Sequence, residues 1–230
     1  MKLNRLELLF LCDLVIFGAG SALVPLLPIR ALQMGGSIAE VGAFMAFAYL
    51  ALAVGTALTG RLVERFQCLH LVVVVGIADA LAYLLLGQAN DFRQLAALTA
   101  VVWFCAGVVT TIVSIYTSQT ANRASRGKTF GLMYLAVPVG ALLGGTTIGR
   151  LTDWQGYSVM FVALGLVHLS VPVLGYFALK GAPAPPRQEM KTARDGQRAL
   201  PPQAFLLLLL AVLLFATIGE LARCHIELID

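Results

Sequence analysis

Apolar residues in this chain come in long unbroken runs. Seven stand out, at roughly 8–29, 41–59, 69–87, 95–118, 129–149, 158–179 and 204–219. Each is long enough to cross a hydrocarbon layer of about 30 Å. None alternates polar with apolar positions as a membrane barrel strand does. Backbone groups in lipid must bond within their own segment, so the runs are predicted as helices and the fold class as an all-α membrane protein. The connectors are short and polar except for 180–202. That stretch holds Pro183, Pro185, Pro186, Pro201 and Pro202 among five basic residues, and is expected as a cytoplasmic linker. The expected division is therefore a six-helix unit over 1–179, the linker at 180–202, and a seventh helix with its tail at 203–230.

The pattern repeats. Gly60-Arg61-Leu62, with Glu64 two residues on, is echoed 89 positions later by Gly149-Arg150-Leu151 and Asp153. The same offset pairs Gly18 with Gly107, Gly42 with Gly131, Gly55 with Gly144 and Gly76 with Gly165. Five of the nine glycines before residue 90 land on glycine, where chance gives roughly one, so the first six runs read as a duplicated unit of three helices. An odd number of helices inverts the second copy, and such inverted repeats are an architecture of secondary transporters.

Composition agrees. The 230 residues are 59% hydrophobic and only 12% charged, with a mean hydropathy of +0.86. A soluble domain carries about 25% charged residues. The run from Leu8 to Ile29 is longer than a signal-peptide core, and is expected to remain as the first helix. With the N-terminus inside, twelve of the 16 basic residues face the cytoplasm, and Arg30, Arg93, Arg150 and Arg223 face out. This orientation accounts for the net charge of +4 without a nucleic-acid partner. Cys12, Cys68, Cys105 and Cys224 have no metal-ligand spacing and are expected as free thiols. No H-E-x-x-H, G-x-S-x-G or phosphate loop is present, so no enzyme, metal or cofactor is expected.

The residues after the second run resemble the signature of the major facilitator superfamily, Gly-x-x-x-Asp-Arg/Lys-x-Gly-Arg/Lys-Arg/Lys. Gly60, Glu64 and Arg65 match it, and Gln67, Cys68 and Leu69 depart from it. An antiporter signature on the fifth helix is similar to Gly131, Gly140, Gly144 and Gly149, with Gly145 replacing its proline and Ile148 a glycine. Trp103 stands where drug–proton antiporters carry an arginine. The resemblance implies secondary transport of a small organic solute at an inner membrane, with proton-coupled efflux ahead of uptake. Gly60, Glu64 and Arg65 would then form a gating motif, the alternative being topogenic charge against lipid headgroups. It also implies twelve helices in two halves. Seven are counted here, so the chain reads as one half plus a helix of a truncated transporter. Its partners would be the bilayer, the solute, and a second half or another copy of itself. The alternative is a half that only assembles with a membrane partner.

Ionisable groups inside the runs are the candidate chemistry. Asp13 lies about two turns into the first helix and Asp79 mid-way along the third; a carboxylate at the bilayer centre costs at least about 2.5 kcal/mol. Each either carries a proton or is a neutral acid bonded to a neighbouring helix. The family places the first and fourth helices around its cavity, which favours function for Asp13 and structure for Asp79. His168 is the mate of Asp79 at the 89 offset, and either pairs with it or bonds a carbonyl. Asp13, Asp79 and His168 are the proton-coupling candidates. Trp103, Gly107, Thr110, Ser114 and Thr117 share one helix face. Trp103 and the three hydroxyls, with Phe17, Gly20 and Ser21 of the first helix, are the cavity candidates. Gly131, Gly140, Gly144 and Gly149 are expected at close helix contacts. Pro138 is expected to kink the fifth helix, and Pro25 and Pro28 to fall near the end of the first.

This topology is directly testable. Reporter fusions at Ala193 and at Asp230 should report opposite sides of the membrane, and the same side for both would exclude seven helices with the N-terminus inside.

Overall fold

The computed structural model describes residues 4–121 and 126–183, all within one compact unit, Met1–Pro185. The expected seventh helix and most of the linker lie outside the described residues. Those described are all helical, with no strand: α1 (Arg5–Gln33), α2 (Ile38–Arg65), α3 (Cys68–Leu86), α4 (Phe92–Thr120), α5 (Arg126–Tyr134), α6 (Ala136–His168) and α7 (Ser170–Leu179).

Local chemistry fixes the helix ends. Ser37 caps α2 by accepting the Glu40 amide at 3.3 Å, while the Glu40 carboxylate accepts the Ser37 amide at 2.8 Å. Asp91 caps α4 by accepting the Gln94 amide at 2.8 Å. Pro25 and Pro28 do not end α1, which runs through both to Gln33. Pro138 lacks the N–H that would bond Tyr134, and the chain leaves the helical ladder at Leu135, between α5 and α6. Pro172 acts likewise four residues after His168, where α6 gives way to α7 at Leu169.

Among the described residues five stretches are long and apolar enough to cross a membrane, and the last, Arg126–Leu179, has 54 residues. A straight helix of that length would span about 80 Å, far beyond a bilayer core of about 30 Å. It is interrupted at Gly156, whose φ of 82° and ψ of 171° are non-helical. A side chain rarely adopts that conformation, so glycine is needed there. The connector expected at Gly149–Gly156 is therefore helical to Gln155, and only its last residue turns.

Packing rests on two close crossings. Where α1 meets α6, a β-carbon on Gly144 would overlap the Gly18 carbonyl oxygen, and one on Gly140 would lie 2.7 Å from the Gly18 nitrogen. Where α2 meets α4, a β-carbon on Gly107 would overlap the Leu52 carbonyl oxygen, and one on Gly55 the Phe104 carbonyl oxygen. Gly18 and Gly107 are 89 positions apart, as are Gly55 and Gly144. Two of the expected packing glycines behave otherwise: Gly131 and Gly149 face open space. The buried ridge of α6 runs through Gly140, Gly144 and Ile148 at intervals of four, and Gly149 lies about 100° around the helix from it. Gly131 sits in α5, before the break at Leu135.

One hydrophobic cluster is centred on the second half of α1 and the first halves of α2 and α4, and buried side chains such as Leu9, Val72, Ile112 and Tyr116 continue the core outside it. The cluster joins Leu23 and Leu27 of α1, Phe44 of α2, Tyr83 of α3, Leu95 of α4 and Phe161 of α6. Residues near the start of α1, the ends of α2 and α4, and α5 lie outside it.

A matched pair of substitutions tests the crossing. Gly144→Ala should lower the thermal unfolding midpoint and the folded yield, because two backbones must separate. Gly145→Ala, one residue on and facing open space, should be neutral or gain up to about 1 kcal/mol from helix propensity. Equal effects from both would remove the crossing as a determinant of stability.

Candidate functional site

A cavity of about 360 Å³ lies among α1, α2, α4 and α5. α1 supplies Asp13 and, one turn on, Phe17. α4 supplies Thr110, Thr111, Ser114 and Thr117, and α2 supplies Thr56. Phe130, Met133 and Tyr134 of α5 close another side. Leu135 keeps helical dihedrals, φ −62° and ψ −20°, so α5 runs on into α6, presenting its aromatic residues to this space while Gly140 and Gly144 lie against α1.

Asp13 is 7% exposed. Its Oδ1 and the hydroxyl of Thr117 are buried without a hydrogen-bond partner among the described residues. A buried polar atom left unpaired costs about 1–3 kcal/mol, so these two groups are the costliest in the lining. The other two α4 threonines of the lining are satisfied locally. Thr110 donates to the Ala106 carbonyl at 2.8 Å and Thr111 to the Gly107 carbonyl at 2.7 Å. Thr56 reaches across to the Gly107 carbonyl at 3.5 Å. Among the described residues no Lys, Arg or His lines the cavity.

The second buried carboxylate has a different setting. His168 Nδ1 lies 2.6 Å from Asp79 Oδ2, and the two residues are 89 positions apart. Both are almost wholly buried, and the Tyr83 ring lies 4.2 Å from the imidazole. Of the two arrangements open to His168, the structure has the pair. Asp79 Oδ1 and His168 Nε2 remain without partners among the described residues. Gly76 and Gly165 flank the pair: Gly76 faces the Pro172 ring, and Gly165 faces Leu84.

The model of the Major Facilitator Superfamily matches residues 9–222. The chain belongs to this superfamily. No curated protein matches it, and no solved structure does. Facilitator-superfamily proteins are membrane transporters of small molecules, so the chain is a multi-pass membrane protein of a transport family.

Within this facilitator chain the expected site residues divide. Asp13, Phe17, Thr110, Ser114 and Thr117 meet at the cavity. Gly20 and Ser21 do not line it, and Trp103 lies in the core, edge-on to Tyr49 with ring centroids 4.5 Å apart. From Trp103 to Thr117 the stripe is about 21 Å long. Only its second half faces the cavity, while its first half packs on α2. Gly60, Glu64 and Arg65 are exposed at the end of α2, and neither charge is in an ion pair among the described residues. Cys12, Cys68 and Cys105 are buried free thiols, and Cys224 lies outside the described residues. Sequence reasoning missed Thr56, Thr111, Phe130, Met133 and Tyr134. A signal existed for Thr56, which follows Gly55, one of the glycines in the duplicated set.

The buried pair yields a double-mutant test. Asp79→Leu or His168→Leu alone strands a buried polar partner and should cost about 3 kcal/mol. Asp79→Leu with His168→Leu should recover much of that loss, measured by unfolding in detergent. Additive losses would show that the two side chains do not act together.

Proposed function

We propose that this protein works in secondary active transport of a small organic solute, and that Asp13 is its proton carrier. The observation that carries this reading is the buried carboxylate of Asp13, unpaired and lining a cavity with hydroxyl groups from α4. A carboxylate in that position avoids its desolvation cost by taking a proton, and water in the cavity gives the proton a route. The resemblance of Gly131, Gly140, Gly144 and Gly149 to the antiporter signature favours proton exchange against solute efflux as the coupling direction.

The architecture read with this function is six crossings in two inverted sets of three. Several features support it. Gly156 divides the last 54-residue stretch, and Trp154 beside it is 82% exposed, as an aromatic residue at a membrane interface would be. The α1–α6 and α2–α4 crossings use glycines related by the 89 offset, and Asp79 and His168 are mates in contact. Residues near a two-fold axis are the ones whose mates can touch. With the N-terminus inside, the cavity opens toward the cytoplasm and the core closes the outer half, the arrangement of an inward-open state. Gly60, Glu64 and Arg65 then lie at the cytoplasmic face, where they serve the gate.

The two aspartates should separate in a transport assay. Asp13→Asn should keep expression and abolish pH-gradient-driven efflux of organic solutes from proteoliposomes, while sparing passive exchange. Asp79→Asn should leave coupling nearly unchanged, because an amide still bonds His168. Normal driven flux in Asp13→Asn, at matched protein levels, would remove the proton-carrier assignment.

A further inference from the structure

The hydroxyl groups along the second half of α4 divide into two sets. Thr110 and Thr111 donate their protons to the Ala106 and Gly107 carbonyls, and Ser118 and Thr120 to those of Ile115 and Tyr116. Bonding its own helix is the ordinary resort of a hydroxyl in lipid. Ser114 and Thr117, three residues apart on the cavity face, make no such bond among the described residues. Tyr134 of α5 lines the same space, and its hydroxyl is likewise unbonded among them. Three groups therefore keep a proton to donate, and each also accepts. Thr110 and Thr111, their protons spent, add acceptors beside them.

The wall makes no comparable provision for charge. A carboxylate or phosphate entering the cavity would lose its water and meet no basic side chain among the described residues. Asp13 is the one carboxylate of the lining, and it is recessed: 7% exposed, with Oδ1 shielded from solvent. An ammonium on an organic body needs direct contact to replace its lost water, and a carboxylate so shielded gives it little. A proton needs only a chain of water. Tyr134 is the other titratable group in the lining. Cys12, beside Asp13, turns away, with its sulfur 3.9 Å from the Val171 carbonyl oxygen of α7. Phe17, Phe130 and the Tyr134 ring supply aromatic faces, against which a flat ring packs well. A volume of about 360 Å³ lies within the range that small organic ligands fill.

We infer that the cavity takes uncharged ligands, an aromatic or apolar ring bearing amide or hydroxyl groups, and that Ser114, Thr117 and Tyr134 hold those polar groups while Asp13 keeps the proton. The inference rests on the cavity proposed above as the transport site and names its substrate class. Solute and proton then have separate seats in one space. Specificity belongs to the three hydroxyls, which can both give and receive a hydrogen bond. A group that does both, such as a primary amide, matches them on each side.

Binding to the full chain in lipid nanodiscs tests this, with empty nanodiscs subtracted for partitioning. The probes share one ring system: naphthamide, naphthoate, naphthylmethylammonium and methylnaphthalene. Naphthamide should bind most tightly and naphthoate not at all. Ser114→Ala and Tyr134→Phe, both at exposed positions, each remove one hydroxyl. Each should weaken naphthamide about fivefold, as loss of a neutral hydrogen bond does, and leave methylnaphthalene unchanged. Acidification should not weaken naphthamide by the factor of about ten per pH unit that competition with one proton requires.

Any of four results would overturn the inference: either charged probe binding more tightly than naphthamide, naphthamide no tighter than methylnaphthalene, naphthamide following the one-proton slope, or no probe bound. Full naphthamide affinity in the Ser114→Ala, Tyr134→Phe double variant would overturn the assignment of those hydroxyls. The wild-type series decides the charge of the ligand even if a variant fails to fold. Naphthamide binding without driven flux of any solute would defeat the transport reading and leave this one standing. Driven flux that needs Asp13, with naphthylmethylammonium the tightest probe, would do the reverse.

Discussion

Gly18 and Gly144 face each other where α1 crosses α6, so closely that a single methyl group would overlap a backbone oxygen. Helices in lipid gain little from the hydrophobic effect, because the surrounding tails are as apolar as leucine. What holds them together is dispersion between surfaces that approach closely, and small residues permit that approach. The crossing of α2 with α4 uses the same device through Gly55 and Gly107. These contacts fix where α1 and α4 lie relative to the helices on either side of them. Asp13 and the α4 hydroxyls share one cavity because the glycines on those same two helices set their positions.

Packing and open space then lie side by side in the unit. One cluster is built of leucine, phenylalanine and tyrosine, with Trp103 and Tyr49 edge to face. Further along α1 and α4, buried Leu9, Ile112 and Tyr116 pack beside the cavity that Asp13 and the α4 hydroxyls line. Polar groups inside a membrane are expensive, and the structure places them where water or a ligand can reach them or where they find one another. Asp13 exemplifies the first solution and Asp79 with His168 the second.

Much of this was legible in the chain. The first four runs became four helices with ends within several residues of those read from hydropathy, and Ser37 capped the helix it precedes. The 89 offset between glycines marked both close crossings, because a position that must lack a side chain leaves a trace in sequence. Distance along a helix was less legible. The α4 stripe keeps one face throughout, yet that face passes from a packed region at Trp103 to the cavity at Thr117. The choice between Gly144 and Gly149 also needed the structure, since both satisfy a four-residue spacing and only one lies on the buried ridge. Phe130 and Tyr134 line the cavity from α5, where nothing in an aromatic side chain's identity separates a cavity face from a lipid face.

The two buried aspartates show why residue type does not assign role in a membrane. Asp79 meets an imidazole at 2.6 Å within a wall of α3, α6 and α7, with Tyr83 against the ring. A proton there passes between two fixed partners and has no cavity to leave through. Pro172 removes one bond from the helical ladder just beyond His168, and Gly76 receives that proline, so the pair sits where α3 and α7 lie close together. Asp13 has no such partner, and its neighbours in the cavity are hydroxyls and aromatic rings. A carboxylate whose compensating charge is built into the fold can only hold the fold together. One whose compensating charge must come from outside can be occupied, released and occupied again. On that physical ground we propose transport for the unpaired aspartate and architecture for the paired one.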